Sequence, residues 1–446
     1  MSASHVRAVT LCLPDDVFEG GRVDVAGVAR YGERAVEIGG RIVRAGFDVQ
    51  TVRLSSPALG EPVSREQLRA RAAGLVEGCR RAGVGSAALS ALRPAALAAL
   101  KPSDVAEVLV EHPSLFLAVV VAEGAEVDHS AAEFSGAVMR ELASRDSEAN
   151  FRFAAVANLG PNAPLFPGSF SDGGKAGVSV GLQSTGALLA RARANPPRDL
   201  AEATELTRAC LRDELDTFTA LLEPDCERHG LLFHGFDPSP ACAPDVGIGE
   251  FLEIAGGIRF GRPGTLATCA AVTAGIRSVG RPAVGYAGLM LPVLEDRVLA
   301  RAWQEGRIGA DSVLAYSSVC GAGMDTLPLP GSTPQHEVVA MIEDMAALSA
   351  RWGKPLSARL MLAPEDGDPR RTEFRAEQIV NVEYPTPWGR VTCVSGGAEP
   401  SGERAAVVDH VIRRMTSMVR ARWGSVRSAR WATARSTPAA GRTSGR

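Results

Sequence analysis

Residues 234–265 read H-G-F-D-P-S-P-A-C-A-P-D-V-G-I-G-E-F-L-E-I-A-G-G-I-R-F-G-R-P-G-T and join a predicted strand to a predicted helix. The apolar run at 231–233, just before them, predicts a buried strand. The closely spaced prolines and glycines that follow predict a rigid loop without regular structure. Apolar residues at helical spacing then predict a helix over 248–255. Because ligand sites of α/β proteins lie on loops at the carboxyl ends of strands, this loop is a candidate site.

This loop and the helix after it carry the ionisable side chains His234, Asp237, Asp245, Glu250 and Glu253. We predict that His234 with Asp237 or Glu250 forms a general acid–base pair, because burial and neighbouring charges bring pKa values towards neutrality. The carboxylates of Asp237, Asp245 and Glu250 are also candidate ligands of a divalent metal. A structural role is the alternative: a packed surface loop, with Glu250 placed at the start of a helix by the helix dipole.

Composition limits the class of protein. The 446 residues are 46% hydrophobic, which suffices for one large domain or two to three smaller ones. The net charge of -3 gives no general attraction to nucleic acid or to an anionic membrane. No apolar run reaches the roughly 18 residues of a membrane helix, and no secretory signal is visible. Since the eight cysteines form no C-x-x-C pair, a reduced cytoplasmic protein is expected.

Predicted strands alternate with predicted helices along most of the chain, which indicates one α/β domain with mostly parallel pairing. We assign residues 1–408 to this domain. Nine arginines and no acidic residue follow Asp409, so residues 409–446 are predicted to be a basic, disordered tail. Nucleic acid is not expected to bind outside this tail.

The predicted strands lie at 6–13, 48–54, 86–89, 115–121, 151–158, 177–182, 231–233, 283–291, 312–319 and 356–362.

Two further loops rich in proline and glycine follow predicted strands, at 158–175 and 320–333. The first carries Asn158 and Asn162. In the second, Cys320 is a candidate nucleophile if a neighbouring group lowers its pKa, or else a small apolar filler. Asp325 is a candidate base or ligand, or else closes a turn through its own backbone.

Anionic groups have two candidate binding positions. The segment G-R-P-G-T at 261–265 opens a predicted helix, where the free amides of Gly264 and Thr265 would receive a carboxylate or phosphate. Arg359, on the predicted strand 356–362, would pair with an anionic substrate or form a salt bridge. No G-x-G-x-x-G or Walker loop is present, so no nucleotide cofactor is recognisable.

Several of these segments resemble, in order, the domain-of-unknown-function family seven hundred and eleven. They are N-L-G-P-N-A-P-L-F-P, V-G-L-Q-S, F-G-R-P-G-T-L-A, S-V-C-G-A-G-M-D-T-L-P-L-P-G-S-T and K-P-L-S-A-R-L-M. The resemblance covers roughly residues 5–380; after about Phe374 the usual closing segment is not recognised. It implies a ten-stranded β/α barrel similar to that of the glycyl radical enzymes, without their radical machinery, and no reaction. The site positions that it implies are Asn158, Asn162, Phe166, Gln183, Gly264, Thr265, Cys320, Asp325 and Arg359.

We therefore expect an enzyme that acts on a small polar, carboxylate-bearing metabolite at one barrel mouth. Proton-transfer chemistry of the lyase, aldol or isomerase type is expected, without a nucleotide cofactor and with a divalent metal as an option. The alternatives are a non-catalytic ligand-binding or regulatory protein on an enzyme-derived barrel, and a metal-dependent hydrolase. A homo-oligomer, a homodimer in the simplest case, is expected because large barrels with exposed helices often associate. No membrane partner is expected.

Overall fold

The computed structural model describes residues 5–243, 245–364 and 366–385. The predicted tail at 409–446, and the end of the predicted domain at 386–408, lie outside the described residues. The strands are β1 His5–Cys12, β2 Asp48–Val49, β3 Val52–Ser55, β4 Ser86–Leu92, β5 Leu115–Glu123, β6 Glu126–Val127, β7 Phe153–Ala157, β8 Gly177–Leu182, β9 Leu232–Asp237, β10 Gly323–Leu329 and β11 Leu356–Leu362.

Eleven α-helices alternate with these strands within the same described ranges. Short 3-10 helices lie at Asp15–Gly21, Pro94–Ala99, Ser147–Arg152 and Val293–Glu295. The α-helices are α1 Val25–Arg44, α2 Arg65–Ala82, α3 Pro102–Glu111, α4 His129–Asp146, α5 Thr185–Ala194, α6 Leu200–Arg228, α7 Ile248–Gly256, α8 Thr265–Arg277, α9 Arg297–Gln304, α10 Ala310–Ser317 and α11 Gln335–Trp352.

The sequence at 65–82 predicts a charged helix, and α2 has these bounds because local sequence signals fix its ends. The hydroxyl of Ser64 accepts from the amide of Gln67 at 3.2 Å, and the Gln67 side chain accepts from the Ser64 amide at 2.8 Å. This reciprocal pair satisfies two amides that the first helical turn leaves free. Gly83 ends the helix with a φ of 70°, a conformation that glycine adopts without a side-chain clash.

The strands form one mostly parallel sheet in the order β10-β11-β7-β5-β4-β3-β1-β8-β9, with β2 beside β1 and β6 beside β5. Strands β1, β3, β4, β5 and β7 run in one direction. The pairs β8–β9 and β10–β11 run in the other direction, because β8 is antiparallel to β1 and β11 is antiparallel to β7. One edge of the sheet therefore combines the amino ends of the first group with the carboxyl ends of the second.

The two faces of the sheet are covered differently. In β5, the side chains of Leu117, Val119 and Val121 join the large core under the helices. Ala118 and Val120 alternate with them and face the other side, where they pack against loop residues. That second cluster contains small strand residues and the inserted loop side chains Leu159, Ala163, Leu165, Phe170 and Tyr286. The loop at 158–175 thus lies along this face of the sheet.

Three predicted elements are wrong. The predicted strand 312–319 is helix α10, whose buried Val313 and Ser317 lie one helical turn apart. The predicted loop 320–333 contains β10, which tolerates Pro328 because its only partner strand within the described sheet is β11. The predicted strand 283–291 forms only an isolated bridge at Ala283, with a second bridge at Pro292 just after it, since two glycines interrupt the segment and prolines flank it.

The hydrogen bonds between the described strands do not form a closed ten-stranded barrel. Among the described residues the sheet has eleven strands, and its path ends at β9 on one side and at β10 on the other. Two of the eleven strands, β2 and β6, have only two residues each. No helix in the described ranges combines the length and the apolar character needed to cross a membrane.

Candidate active site

A cavity of about 530 Å³, including its open part, lies at the edge where the amino ends of β1, β3 and β5 meet the residues that follow β9. Each of the three predicted loops contributes to it: Leu165 and Phe166 from the first, Ala241 and Cys242 from the second, and Asp325 from the third. Its lining is Arg7, Arg53, Phe116, Phe151, Leu165, Phe166, Ala241, Cys242, Met290, Pro292, Glu295, Asp325 and Arg359.

Arg359 is held between two buried carboxylates. Its Nε donates to Oδ1 of Asp325 at 2.7 Å, and its Nη2 donates to Oε1 of Glu295 at 2.5 Å. Burial opposes the charge of Arg359, but the attraction of Asp325 and then of Glu295 outweighs it, so the pKa of Arg359 lies above its ordinary value. The ring of Phe151 lies under the guanidinium, 4.5 Å from ring centroid to Cζ.

Two further arginines face the same cavity. Arg7 donates to Oε1 of Gln50 at 2.7 Å and lies 3.5 Å from Oε2 of Glu295. Arg53 donates through Nε to the hydroxyl of Thr51 at 2.8 Å, and no carboxylate in the described part of the chain pairs with it. Burial, and then the charge of Arg7, lower the pKa of Arg53 to about 9. The charge of Glu295 acts in the opposite direction, so Arg53 is a buried cation with a nearby carboxylate but no direct carboxylate partner among the described residues.

Glu295 completes the cluster. Burial raises the pKa of this carboxyl above its ordinary value, although the charge of Arg359 acts in the opposite direction. A carboxyl with a raised pKa at the wall of a cavity is suited to proton transfer. Glu295 lies at the end of the 3-10 turn Val293–Glu295 and is nearly inaccessible to bulk solvent.

Aromatic rings form the apolar wall of the cavity. Phe116 and Phe166 pack against each other with centroids 5.1 Å apart, and the guanidinium of Arg53 lies 4.7 Å from the centroid of Phe166. The loop that carries Phe166 is fixed to the sheet by hydrogen bonds, such as that from the Thr10 hydroxyl to the carbonyl of Pro164 at 2.9 Å. The position of Phe166 is therefore set by the loop at 158–175.

His234 does not line this cavity. It lies on β9 beside the amino end of β8, close enough that a Cβ on Gly177 would lie 2.3 Å from its Nε2. That nitrogen is buried without a hydrogen-bond partner among the described residues. Burial lowers the pKa of His234, while the charge of Asp172 opposes the shift. His234 was predicted to pair with Asp237 or Glu250 as acid and base. The structure does not bring these side chains together.

Asp237 is a fully buried residue that organises a turn. Its carboxylate accepts amides from Ser239 at 3.0 Å, Tyr286 at 2.9 Å and Ala287 at 3.2 Å. Burial raises its pKa, and these hydrogen bonds oppose the shift. Gly285 approaches so closely that a Cβ there would lie 2.4 Å from Oδ2. The amides occupy the oxygens that the sequence assigned to catalysis or to a metal.

The other two candidate metal ligands lie on the surface. Glu250 pairs with Arg193 at 2.5 Å, and Asp245 pairs with Arg297 at 2.9 Å; all four side chains are exposed. Asp237, Asp245 and Glu250 therefore do not form a ligand set. Within the residues that the structure describes, no group of three or more His, Cys, Asp or Glu side chains is arranged to hold a metal.

The predicted binding residues Asn158, Asn162 and Gln183 lie outside the cavity lining. Asn158 bonds the amide of Gly124 at 2.7 Å and the hydroxyl of Ser349 at 3.1 Å, which fixes the turn after β5. Asn162 exchanges hydrogen bonds with Asp172 across its own loop. Gln183 is half-buried just after β8. The two asparagines serve the loop backbone rather than the cavity.

Three other predicted site residues do not line the cavity: Gly264, Thr265 and Cys320. The amide of Thr265 donates to the carbonyl of Arg262 at 3.1 Å, and its hydroxyl accepts from the amide of Gly261 at 3.0 Å, so this helix start is already occupied. Gly264 adopts a φ of 100° there. Cys320 is buried, and its carbonyl accepts from Nζ of Lys354 at 2.5 Å.

Three residues of the cavity were not among the predicted site residues: Arg7, Arg53 and Glu295. A signal existed for the two arginines, since each interrupts an otherwise apolar strand, V-R-A-V in β1 and V-R-L-S in β3. A charged side chain on a buried strand needs a partner or a cavity. For Glu295, in L-P-V-L-E-D, no comparable local pattern points to the cavity.

Fold and site define an α/β protein with an arginine-lined cavity at one edge of its sheet. The chain belongs to the family described as Uncharacterised ACR (DUF711), whose profile matches residues 4–375. It is similar to UPF0210 proteins of Pyrobaculum arsenaticum (31% identical over 235 residues, 50% of this chain and 52% of that protein) and Methanopyrus kandleri (29% over 263 residues, 56% and 58%). The chain thus spans little more than half the length of these curated relatives, whose names state no activity.

Proposed function

We propose that this protein is an enzyme that binds a small, carboxylate-bearing metabolite in the arginine-lined cavity and catalyses proton transfer, as a lyase or an isomerase. The observation that carries the proposal is the burial of Arg53 at the cavity without a direct carboxylate partner. This residue is 9% exposed, lines the cavity and has no direct carboxylate partner in the described ranges. A buried cation is costly unless a counter-charge offsets it, and an anionic ligand supplies that charge.

In this proposal the acid–base groups are Asp325 and Glu295, in place of His234. Asp325 uses Oδ1 to accept from Arg359, and its Oδ2 makes no hydrogen bond to another described residue. Because Asp325 lines the cavity, a molecule there can reach its carboxylate. Arg359 then acts as a positioning residue that fixes the orientation of both carboxylates. The apolar wall keeps water away from the reacting groups.

One observation favours a non-catalytic ligand-binding protein as the second candidate. Arg359 holds both carboxylates of the cavity, so each already forms an ion pair within the protein. A regulatory protein would use the same cations to bind a metabolite without converting it. The two candidates differ only in turnover.

Thermal-shift and calorimetric titration with a panel of small carboxylates tests the proposal. We expect stabilisation by a subset of carboxylates, and loss of that stabilisation in Arg53→Met. Arg193→Met is the matched control, because Arg193 forms an exposed ion pair far from the cavity lining. Binding that is unaffected by Arg53→Met would overturn the proposed site. For any carboxylate that binds, conversion followed by NMR separates the enzyme from the binding protein, with Asp325→Asn expected to abolish turnover.

We also propose that the segment at 282–292 closes the sheet into a barrel. Val284 donates to the carbonyl of Phe236 on β9 at 2.8 Å, and Gly321 donates to the carbonyl of Leu289 at 2.7 Å just before β10. Gly288 and Gly321 allow this approach, since a Cβ on Gly288 would lie 2.8 Å from Cα of Gly321. Slow hydrogen exchange of the Val284 and Gly321 amides is expected; rapid exchange of both would contradict closure.

A further inference from the structure

The positive and negative charges of the side chains that line the cavity are not equal in number. Three guanidiniums, of Arg7, Arg53 and Arg359, face two carboxylates, of Glu295 and Asp325. Arg359 contacts both carboxylates, and Arg7 shares Glu295 with it. The one positive charge that remains when all five groups are ionised therefore resides mainly on Arg53. A ligand with a single negative charge would neutralise the cavity.

Two groups of atoms are available to such a ligand. Arg53 uses Nε for Thr51, which leaves the N–H groups of its two terminal nitrogens for a planar acceptor such as a carboxylate. Asp325 offers Oδ2, an acceptor that needs a donor. The cavity thus presents both an unfilled cation and an unfilled anionic acceptor, so a matching ligand contains a carboxylate and, beside it, a hydrogen-bond donor.

The remaining lining is apolar and limits the size of the rest of the ligand. Phe116, Leu165, Phe166 and Met290 face the cavity, with no ionisable group among them. The space of about 530 Å³ includes a part that is open to solvent, so the enclosed part is smaller and suits a small molecule. A short hydrocarbon chain matches this wall, whereas a second charged group would be buried there without a partner.

Resting on the function proposed above, we propose that the substrate is a short 2-hydroxy monocarboxylic acid with an apolar side chain. Its carboxylate lies on the terminal nitrogens of Arg53, its hydroxyl donates to Oδ2 of Asp325, and its side chain contacts Phe116 and Met290. A dicarboxylate has two negative charges, one more than the single positive charge that remains in the cavity. An amino acid could pair its carboxylate with Arg53 and its ammonium with Asp325, but because it has no net charge it leaves the cavity with one uncompensated positive charge.

Four probes of matched shape test this substrate class by calorimetric titration of the full chain: 2-hydroxyisovalerate, isovalerate, valine and isopropylmalonate. We expect 2-hydroxyisovalerate to bind about ten- to a hundredfold more tightly than isovalerate, the range for a hydrogen bond to an ionised group. Valine and isopropylmalonate should each bind at least about tenfold more weakly than 2-hydroxyisovalerate, since neither balances the charge of the cavity.

Asp325→Asn supplies a second measurement, since it removes one negative charge and keeps the shape of the side chain. The order of preference should then move towards isopropylmalonate, whereas the exposed control Glu250→Gln should leave the order unchanged. If the variant does not fold, the order of the four probes on the wild-type protein still decides.

The two proposals fail in different ways. Equal affinity for 2-hydroxyisovalerate and isovalerate, or tightest binding of valine or isopropylmalonate, would overturn the substrate class while the carboxylate site stands. Failure of every carboxylate to bind would overturn the proposed function and this inference together.

Discussion

Nε of Arg359 on β11 lies 2.7 Å from Oδ1 of Asp325 on the adjacent parallel strand β10, and both residues are buried. The same guanidinium bonds Glu295, which precedes α9. One cation thereby connects two neighbouring strands to a third segment and orients both carboxylates of the cavity. Because each partner in such a cluster depends on the others, its members have large and coupled effects on stability.

Asp325→Ala should lower the free energy of unfolding by about 3 kcal/mol, the lower end of the range for breaking a buried ion pair, because Glu295 still contacts Arg359. Urea denaturation measures it. Asp245→Ala, which removes an exposed partner, is the control and should change stability by less than about 1 kcal/mol. The double variant with Arg359→Met should lose less than the sum of the two single changes. A loss below about 1 kcal/mol for Asp325→Ala would show that the pair is unimportant for the fold.

Arg53→Met should raise the stability of the ligand-free protein by about 1–2 kcal/mol, because it replaces a buried, uncompensated cation with an apolar side chain of similar length. Thermal unfolding without ligand measures the change. The same variant should lose carboxylate binding, so stability and function are expected to move in opposite directions. Arg193→Met should change neither. A less stable Arg53→Met protein would contradict this, and would indicate that the contacts of Arg53 with Thr51 and Phe166 outweigh the cost of its buried charge.

Glu250→Gln and Asp245→Asn should each change the free energy of unfolding by less than about 1 kcal/mol, since exposed ion pairs contribute little. Both variants should also keep the metal content of the purified wild-type protein, measured by mass spectrometry, and its affinity for carboxylates. Loss of a bound metal in either variant would restore the prediction that these residues are metal ligands.

Lys354 should make stability depend on pH in alkaline solution. Burial lowers the pKa of this ammonium to about 8, below its ordinary value of 10.5. Between these two values the unfolded chain binds more protons than the folded one, so this group makes the protein more stable as pH rises through the window. Thermal midpoints between pH 7 and 11 measure the effect against Lys354→Met, in which this part of the rise should disappear. Parallel curves for the two proteins would contradict the shift.

Local sequence patterns sufficed for many elements. The bounds of α2, β8 and β11 agree with the prediction, because a capping box, a glycine and short, mostly apolar runs act over neighbouring residues. The same local rules misassigned α10 and β10. A short apolar run fits either a helix or a strand, and a proline in a strand is tolerated only if that strand lies at an edge.

The candidate site also contains residues that local sequence patterns predicted and residues that they did not. Arg359 and Asp325 were predicted and line the cavity, whereas Arg7, Arg53 and Glu295 come from segments far apart in sequence. Their proximity depends on which strands pair, and strand pairing is a long-range property. The sequence alone could therefore indicate an ionic site on these loops but not its full membership.

By itself, the amino-acid sequence determined the family, the alternation of strands and helices, and the three stiff loops that all contribute to one cavity. Only the tertiary structure decided which of their side chains meet. β8 pairs antiparallel with β1, and β11 pairs antiparallel with β7. This pairing places Asn158 and His234 towards the edge opposite Arg7 and Arg53. The direction of a strand is set by the backbone hydrogen bonds of a distant partner, which no local pattern of side chains records.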